Sequence, residues 1–488
     1  MADGKSAEGI DIAFRCGALP DDTVRLISID GRERLSRLFE FDLVLSREAG
    51  PFSDDELDEL LTAPCAIALG PKPGDIVHGL LESIELVDSS RDVAARYIAR
   101  MVPSVWLLTL SRTCRVFQDQ TVPQIVEAIL SQYGLSNGDD FEILVDGSIS
   151  REYVVQYQES DWDFIQRWLE HEGLFYWFEH GEETEKLIIS DKNDKATPIE
   201  DPDVISYRER NNLGTDQVTL WDWNIRHKRV AARVGLVDYN YRTPHVPLFA
   251  TEVVDDKRGF GSLITYGDHF KDNDAGKVLA TRRAERIRSE RVVLSGRTDC
   301  ARFRVGHVFE TENHQDPAHD KKYLILGLEH HVGLDADTQG SLRYTARFEA
   351  IPFDVQYRPE RITPWPRCYG ILHAHVEADG AGDYAQLDEL GRYKVRLPFD
   401  KSDAKGAKAS RWIRCAQHFS GAAHGSHFPL RKGAEVLLAH IDGDVDRPII
   451  IGTVPNPHTL SPTTSANATQ SVIQTASGIR IELEDLQS

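Results

Sequence analysis

Short segments in which apolar and polar residues alternate recur along almost the whole chain, and this pattern constrains the fold more than any other feature. The clearest example is 39–45, where apolar residues occupy every second position. Such alternation predicts strands of a sheet with one buried and one solvated face. Similar segments fill the stretch 21–102. The sequence therefore predicts a mainly β fold that begins with barrel-like subdomains.

The length of the chain and its composition limit the number and kind of domains. At 488 residues the chain exceeds one ordinary hydrophobic core, so we expect about three domains of roughly 100 to 200 residues each. Apolar residues make up 41% and charged residues 27%, a balance typical of folded soluble proteins. We therefore expect each domain to bury a core.

Helix signals interrupt the strand pattern in three places, near residues 122–133, 161–172 and 272–291. The first helix is predicted to begin around Pro123, because proline fits the first helical turn, and to end before Gly134. The second pairs Phe164 with Trp168 four positions later, and we expect it to stop at Gly173. Together with the strands, these helices predict an α+β fold that is mainly β.

The third predicted helix carries a basic stripe that is formed by Arg282, Arg283, Arg286 and Arg288. Such a stripe could grip a polyanion, but it is more often a solvated face or a contact for acidic neighbours. The formal net charge of −22 gives a surface that repels nucleic acid and anionic lipid. We therefore expect no nucleic-acid partner.

An aromatic run at 174–178 follows the second predicted helix at once. One interpretation is an aromatic cage for a cofactor. The other is a strand that is buried on both faces, because these residues favour strands and the run is bounded by glycine and charge. We expect the buried strand, and we predict no cofactor.

The segment 367–454 contains five candidate strands: 369–376, 391–399, 411–417, 435–441 and 448–454. Five short antiparallel strands in fewer than about one hundred residues predict a small closed barrel of the OB type. An OB barrel can bind single-stranded nucleic acid, but this segment has 12 basic and 11 acidic residues and lacks the basic groove that such binding needs. We expect the barrel to be a scaffold.

The last stretch, 455–488, combines a linker with one amphipathic strand. Residues 455–471 are rich in Pro, Ser, Thr and Asn, as linkers are. Residues 478–484 alternate strictly, which places Ile479, Ile481 and Leu483 on one face and three charges on the other. A lone strand at a chain end has nothing to cover its apolar face. We expect copies of the same strand to cover it.

Several histidine and aspartate groups are candidates for metal sites. His373 and His375 would share one side of a strand. His424 and His427 have the spacing of some ligand pairs, but no HExxH motif or matching carboxylate set accompanies either pair. Residues 442–446 begin like a calcium loop, yet its sixth and twelfth positions lack the required Gly and Glu. We expect ordinary histidines, a hairpin turn and no metal ion.

The sequence contains no catalytic motif. It has no GxSxG elbow, P-loop or dinucleotide fingerprint, and no cysteine in a nucleophile signature. Glu33, Glu40 and Asp42 could be combined into a carboxylate pair, but an acidic chain offers many such pairs. We therefore predict no catalytic residues and no enzymatic activity.

Cysteine use and the N-terminal residues bear on the cellular compartment. The six cysteines occur singly, without a CxxC pair or close clustering: Cys16, Cys65, Cys114, Cys300, Cys368 and Cys415. We therefore expect folding in a reducing cytoplasm. No secretory signal and no apolar run of about 18 residues is visible in the sequence. If the protein leaves the cell, we expect a route without a cleaved signal.

Seven segments in a fixed order carry a resemblance to a known family: 159–165, 172–176, 391–396, 412–417, 433–437, 443–452 and 477–479. In this order and spacing they resemble the VgrG spike proteins of type VI secretion systems, which are related to the hub and needle proteins of contractile-phage tails. The resemblance covers nearly the whole chain. It implies a structural spike that punctures target envelopes and carries effectors.

The resemblance implies a homotrimer with a defined order of regions. After an N-terminal tail at 1–20, residues 21–360 would form a hub that docks on a secreted tube. The OB-fold domain would span 367–454, and a linker with the start of a trimeric β-helix needle would span 455–488. The residues that would face the trimer axis are Ile479, Ile481 and Leu483. The implied partners are an Hcp-like tube protein, a PAAR-like tip protein on the needle, and effectors or adaptors.

The chain departs from the plan of this family because it stops at Ser488, only a few residues into the expected needle. We expect either a truncated needle or an unusually short one. The resemblance also implies assembly in the cytoplasm and expulsion without a signal peptide. One alternative, a tail hub of a contractile phage or phage-derived particle, shares the fold. Another, a cell-wall hydrolase, requires a pocket with a perturbed carboxylate pair.

Overall fold

The computed structural model describes residues 12–486 apart from 21–22, 71, 89–93, 200–203, 209–217, 335–341, 403 and 405. The α-helices of these residues are α1 Asp54–Thr62, α2 Val122–Gln132, α3 Asp161–Glu172 and α4 Asn273–Ser289. The strands are β1 Ala13–Cys16, β2 Arg25–Arg34, β3 Glu40–Arg47, β4 Pro64–Ala68, β5 Ile76–Asp88, β6 Ala95–Val102, β7 Arg112–Phe117, β8 Gln120–Thr121, β9 Phe141–Leu144, β10 Ser150–Arg151, β11 Val154–Ser160, β12 Phe175–His180, β13 Glu185–Ser190, β14 Val204–Tyr207, β15 Thr219–His227, β16 Arg233–Asp238, β17 Leu248–Val253, β18 Ser262–Tyr266, β19 Val292–Thr298, β20 Val308–Glu312, β21 Lys322–Leu334, β22 Leu342–Pro352, β23 Leu372–Glu377, β24 Lys394–Arg396, β25 Ser420–Gly421, β26 His424–Gly425, β27 Glu435–His440, β28 Pro448–Thr453, β29 Gln470–Gln474 and β30 Arg480–Glu484. The fold is therefore mainly β with a few helices, as the sequence predicts.

Helices α2, α3 and α4 occupy the three stretches where the sequence predicts helices, whereas α1 lies in a region where only strands are predicted. A capping box explains α1. The Ser53 hydroxyl accepts a hydrogen bond from the Glu56 amide at 3.3 Å, and the Glu56 carboxylate accepts one from the Ser53 amide at 2.7 Å. These two bonds satisfy amide groups that the first helical turn leaves without partners.

The chain divides into two compact units that exchange segments along the sequence. Unit 1 contains residues 1–111, 122–149 and 161–363, and unit 2 contains 112–121, 150–160 and 364–488. The chain therefore passes between the units five times. The boundary 21–360 that the sequence predicts for the first region does not capture the two segments that belong to unit 2.

The large sheet of unit 1 closes into a barrel. Its strand order is β1-β4-β5-β6-β3-β2-β21-β20-β14-β15-β19-β22, and β22 also pairs with β21. This additional pairing closes a barrel of six strands, from β21 through β20, β14, β15 and β19 to β22. Three aromatic rings that contact one another fill part of its core, those of Phe303, Phe309 and Phe348. The structure therefore contains a barrel of the predicted kind, but its strands lie in 204–352 and not in the stretch 21–102, whose strands extend the same sheet beyond the barrel.

Gly296 in β19 allows the Phe348 ring to approach the barrel wall. A Cβ atom on this residue would lie 2.8 Å from the tip of the ring and 3.1 Å from the Trp221 carbonyl oxygen. We expect Gly296→Ala to destabilise the protein by about 1–3 kcal/mol, because overpacking forces neighbouring groups to shift. Gly74→Ala is the matched control, since nothing lies within 4 Å of its Cβ position. Urea denaturation measures the loss of unfolding free energy in each variant. Equal losses in the two variants would contradict the prediction.

The aromatic run after α3 forms a buried strand, as the sequence predicts. Residues 175–178 of β12 are at most 7% exposed. They pair with β13 in antiparallel register, and β13 pairs in parallel with β9. The rings of Phe175 and Trp177 stack at 5.9 Å. Their contacts are with the protein core.

A three-stranded sheet of unit 1, in the order β17-β16-β18, packs one face against α4. The buried core between them contains Leu236 and Ala250 from the sheet and Leu279, Ala284 and Ile287 from the helix. The helix begins where the Asp272 carboxylate accepts a hydrogen bond from the Ala275 amide at 2.8 Å. This packing fixes the positions of the α4 arginines relative to the rest of unit 1.

The segment 367–454 of unit 2 forms a small closed barrel, as the sequence predicts. Its sheet has the order β24-β23-β27-β28. The predicted strand 411–417 contributes single bridges in place of a regular strand. Ile413 exchanges two backbone hydrogen bonds with Tyr393, at 2.9 and 2.7 Å, and Ala416 donates to the Ile450 carbonyl at 2.7 Å. These bonds close the barrel around the buried side chains of Ile413, Val436 and Ile450.

Segments 112–121 and 150–160 extend unit 2 with two pairs of strands, β7 with β11 and β8 with β10. Tyr153 and Val155 belong to a core cluster that also contains Cys368 and Val445. The Val155 amide donates a hydrogen bond of 2.6 Å to the Asp446 carboxylate. Side chains about 290 positions apart in the sequence therefore share one core.

Two predictions about the chain termini need correction. The strand at 478–484 is not alone, because β30 pairs with β29 in an antiparallel hairpin. The turn uses Gly478, whose φ of 93° lies in the left-handed region that favours glycine. At the other end, β1 pairs with β4, so this part of the predicted tail 1–20 belongs to a sheet; residues 1–11 lie outside the described residues. None of the described helices has the length and apolar character that crossing a membrane requires.

Candidate functional site

The hairpin β29–β30 presents an apolar face to solvent. Its register pairs Ile473 with Ile481 and Ser471 with Leu483, and directly opposed side chains lie on the same face. Ile479, Ile481 and Leu483 are 69%, 59% and 64% exposed. The structure therefore places the three predicted residues on one uncovered face, and their contact with other copies stays a prediction.

The opposite face of the hairpin is polar and is held by side-chain contacts. Gln470 donates a hydrogen bond to Glu482 at 2.7 Å, and Arg480 forms an ion pair with the same carboxylate at 2.7 Å. Hydrogen bonds from the side chain of Thr469 and from the Leu486 amide lower the pKa of Glu484. One face of the hairpin is thus apolar, and the other face is polar and can be solvated.

A second exposed apolar surface lies on the face of the sheet β17–β16–β18 that points away from α4. The register places Val237 beside Phe249 on one neighbouring strand and Tyr266 on the other. At Gly235, a Cβ atom would contact Ile264 at 3.3 Å and Phe249 at 3.4 Å. Phe249, Ile264 and Tyr266 are all exposed. The outer edge of β18 has no partner strand among the described residues.

Glu33 lies in a buried polar cluster of unit 1. Its carboxylate is 3.0 Å from Nε2 of His330, whose Nδ1 lies 2.8 Å from the Tyr344 hydroxyl. Burial opposes ionisation of Glu33, but His330 and Arg304 outweigh this effect and hold its pKa at about 2. Burial and Arg304 lower the pKa of His180 to about 3. The cluster therefore holds Glu33 as a carboxylate, whereas a general acid needs a raised pKa.

The depressed pKa of Glu33 predicts a loss of stability in acid. The unfolded carboxyl group titrates near 4.5 and the folded one near 2, so the contribution is complete above the unfolded pKa and falls as the pH drops towards 2. We expect the wild type to lose about 2 kcal/mol more than Glu33→Gln between pH 7 and pH 3. Urea denaturation at both pH values measures the free energy of unfolding of each protein. Equal losses would contradict the prediction.

Glu40 and Asp42 lie on the other face of the sheet from Glu33. Residues on β2 alternate between the two faces, and Glu40 is opposite Arg32 across the strand pair. Asp42 accepts hydrogen bonds from Arg100 Nε at 2.8 Å and Nη2 at 3.3 Å. The three carboxylates that the sequence analysis considered are therefore not brought together.

A cleft of about 660 Å³ in unit 1 contains Glu285 and Asp354 among its lining residues. Arg358 donates from Nε to Glu285 at 2.8 Å, and its Nη1 donates to the Gly173 carbonyl at 3.0 Å. Glu285 thus takes part in an ion pair that joins α4 to a distant segment. This arrangement indicates a structural role for Glu285.

The arginines of α4 contact acidic neighbours, which was one of the two ordinary interpretations of the basic stripe. The pairs are Arg282 with Glu172 at 2.8 Å, Arg283 with Asp268 at 3.2 Å, Arg286 with Glu360 at 2.9 Å, and Arg288 with Glu252 at 3.6 Å. The acidic partners Glu172 and Asp268 are almost completely buried. These arginines therefore stabilise unit 1, and their charge is compensated.

The four histidines that the sequence analysis considered as ligands have protein partners in unit 2 or face solvent. His373 Nδ1 is 2.6 Å from Glu435, and His375 is exposed on the same strand. His424 Nδ1 is 2.9 Å from the Ala422 carbonyl. The ring of His427 stacks on Tyr393, whose hydroxyl lies 3.1 Å from its Nε2.

Residues 442–446 form the turn between β27 and β28, as the hairpin interpretation predicts. Asp444 accepts a hydrogen bond from the Asp446 amide at 3.0 Å and lies 3.3 Å from Arg447. Asp442 adopts a φ of 54°, a left-handed conformation that Asp tolerates. The acidic residues of this turn organise the barrel hairpin.

Comparison with known proteins assigns both units to families. Residues 32–336 match the family model of the phage tail baseplate hub, and residues 384–454 match that of the type VI secretion system/phage-baseplate injector OB domain. The second match falls within the barrel that the sequence predicts as an OB fold.

Curated and structural relatives extend this likeness. The type VI secretion system spike protein VgrG1b of Pseudomonas aeruginosa is 31% identical over 476 residues, which cover 93% of this chain and 62% of the relative. VgrG1a of the same organism is 30% identical over 475 residues, which cover 94% of this chain and 72% of the relative. A solved structure with a similar fold is that of the E. coli c3393 protein, which is described as a type VI secretion component similar to the T4 bacteriophage tail proteins gp27 and gp5. Its sequence is 25% identical and the TM-score is 0.67. The match covers 91% of this chain and 100% of the c3393 chain. This chain spans less than two thirds of the length of VgrG1b.

Proposed function

The chain belongs to the VgrG family of type VI secretion system spike proteins, and on this premise we propose that it is the structural spike at the tip of a contractile injection apparatus. The observation that carries the proposal is the order of parts in one chain. A hub matched over 32–336 and an OB barrel matched over 384–454 precede an exposed amphipathic hairpin. We propose that this spike punctures target envelopes and carries effectors.

In the proposed assembly, three chains meet through their terminal hairpins. Ile479, Ile481 and Leu483 would face the trimer axis, because burial against two other copies removes their exposed apolar area from water. The polar face with Arg480 and Glu482 would remain in solvent. Strands that pair between chains leave no open edges, so the point can bear the force of contraction. The hairpin would then be the root of a β-helix needle.

We propose the following division of the remaining chain. Residues 21–360, together with β1 and without the two segments of unit 2, supply the hub that docks on an Hcp-like tube protein. Residues 367–454 supply the OB-fold domain. Residues 455–488 supply the linker and the start of the needle, which carries a PAAR-like tip protein. Effectors or adaptors bind to this assembled spike.

We propose a mechanical role without catalysis. The relatives VgrG1b and VgrG1a are spike proteins, and the likeness extends over the part of them that this chain matches. The carboxylates of Asp42 and Glu285 form ion pairs with arginines, and that of Glu33 lies 3.0 Å from Nε2 of the buried His330, which supports structural roles for all three. A cell-wall hydrolase would instead need a paired acid and base at a substrate cleft.

We propose that the spike assembles in the cytoplasm and leaves the cell when the apparatus contracts, without a signal peptide. The experiment uses the encoding bacterium, with its other spike genes deleted, and measures export of the tube protein and killing of neighbouring cells. Deletion of this gene should abolish both, and the wild-type chain should restore both. Unchanged export after deletion would contradict the proposal.

A separate experiment distinguishes the spike from a tail hub of a phage or phage-derived particle. The match to the phage tail baseplate hub is the observation that makes this the second candidate. A phage hub would co-purify with particles that carry a capsid, whereas a secretion spike would co-purify with tubes and sheaths. Electron microscopy of material that binds to the tagged chain distinguishes the two.

A further inference from the structure

Cys16 and Cys65, which are far apart in the sequence, lie directly opposite each other in unit 1. Cys16 is the last residue of β1, and the antiparallel register pairs it with Cys65 of β4. Both residues are buried, at 7% and 4% exposure. In the sequence the two cysteines appear as single residues, because spacing along the chain does not show which strands pair.

The hydrogen-bond pattern identifies the kind of position that the two cysteines occupy. The Gly17 amide donates to the Pro64 carbonyl at 3.0 Å, so residues 17 and 64 form a hydrogen-bonded pair. Because the two kinds of pair alternate along an antiparallel ladder, Cys16 and Cys65 form a non-hydrogen-bonded pair. Such pairs have Cα atoms about 4.5 Å apart, within the range of about 4.4–6.8 Å that a disulfide requires.

The strand on the other side of Cys65 places no side chain beside it. On its other side, Cys65 is opposite Gly79 of β5, which has no side chain. The other cysteines found in strand pairings have different partners: Cys114 is opposite Tyr157, and Cys415 is opposite Ile450. Cys114 and Cys415 are thus opposite other residue types, whereas Cys16 and Cys65 are opposite each other.

We propose that Cys16 and Cys65 form an intrachain disulfide when the protein meets a disulfide oxidant, and that this bond locks the edge strand β1 onto β4. With oxidised glutathione, one protein thiolate attacks the glutathione disulfide, which forms a mixed disulfide and releases one glutathione thiolate. The second protein thiolate attacks the protein sulfur of the mixed disulfide and releases the second glutathione thiolate. The two protons lost by the cysteines are taken up by the two released thiolates.

Burial makes this reaction slow in the folded chain. It raises the pKa of both thiols, and the neighbouring Cys16 raises that of Cys65 further, so few thiolates are available to attack. The bond therefore forms when β1 separates briefly from β4 or while the chain folds. A reducing cytoplasm keeps the pair as thiols. The formation of the bond does not depend on the proposed function, but its use after expulsion into an oxidising compartment rests on it.

The test uses the purified full-length chain with oxidised glutathione in two arms, one native and one refolding from denaturant. After alkylation and trypsin digestion, mass spectrometry should find the peptide 16–25 linked to the peptide 48–91 within one chain. Cys300→Ser, which changes a buried cysteine outside the strands, should keep this link. Cys16→Ser and Cys65→Ser should lose it. Absence of the link in both arms, or a link between different chains, overturns the proposal.

A second measurement tests the locking of β1 in the wild-type chain. Hydrogen exchange at the Gly17 amide should slow at least tenfold on oxidation, because opening of β1 is restricted, and dithiothreitol should reverse the change. Cys300→Ser should show the same slowing. Equal exchange in the oxidised and reduced chains would overturn the proposed lock even if the link forms.

Discussion

Ile481→Asp is expected to weaken assembly of the proposed trimer at least about 100-fold. Full burial of an apolar side chain stabilises by about 1.5–3 kcal/mol, and Ile481 is 59% exposed in the single chain. Three copies would therefore lose about 3 kcal/mol or more per trimer, which is about 100-fold in the association constant. Three aspartates near one axis also repel each other, which adds to the loss.

Sedimentation and native mass measurement of the full chain would test this result. Glu482→Gln changes the adjacent residue on the polar face, and we expect it to assemble like the wild type. Ile481→Asp should be monomeric at concentrations where the control is trimeric. A variant that assembles as well as the control would contradict the proposed interface, and so would a wild-type chain that remains monomeric at high concentration.

Asp268→Asn is expected to destabilise unit 1 by about 3–5 kcal/mol, because it removes the negative charge that two arginines share. Asp268 is 3% exposed, lies 3.2 Å from Arg283 and is bonded to Arg361. Burial opposes its ionisation, but Arg283 and Arg361 outweigh this effect and lower its pKa. Asparagine keeps the volume and leaves the largely buried Arg283 without its counter-charge.

The matched control for Asp268→Asn is Arg286→Ala, in the helix α4 that also carries Arg283. Arg286 pairs with Glu360, whose side chain is 61% exposed, and pairs of this kind contribute about 0–1 kcal/mol. Urea denaturation followed by tryptophan fluorescence would compare the two variants. A loss for Asp268→Asn no greater than that for Arg286→Ala would show that the buried pair does not hold α4 in place.

Local signals in the sequence predict the elements whose cause is local. The alternation at 39–45 corresponds to β3, the buried aromatic run to β12, and Gly173 ends α3. Helix α1 was missed although Ser53 and Glu56 form a capping box, which was the signal for it. These features depend on neighbours within a few positions, and so the sequence displays them directly.

Long-range pairing could not be predicted in the same way. Nothing near Asp268 indicates Arg361 as its partner, and nothing near Val155 indicates Val445. The additional pairing of β21 with β22 that closes the six-stranded barrel follows from the arrangement of the whole sheet. The sequence does show the alternation of Ile479, Ile481 and Leu483, but their hairpin partner β29 begins at the end of a segment whose composition is typical of a linker.

The sharing of one core by Val155 and Val445 has a consequence for synthesis on the ribosome. The strands β7 and β11 leave the ribosome early, but the residues that complete their core follow about 290 positions later. At about 5–20 residues per second, this interval lasts about 15 to 60 s. During that time Tyr153 and Val155 lack their native cover, so the nascent chain exposes an apolar surface that a chaperone can protect from aggregation.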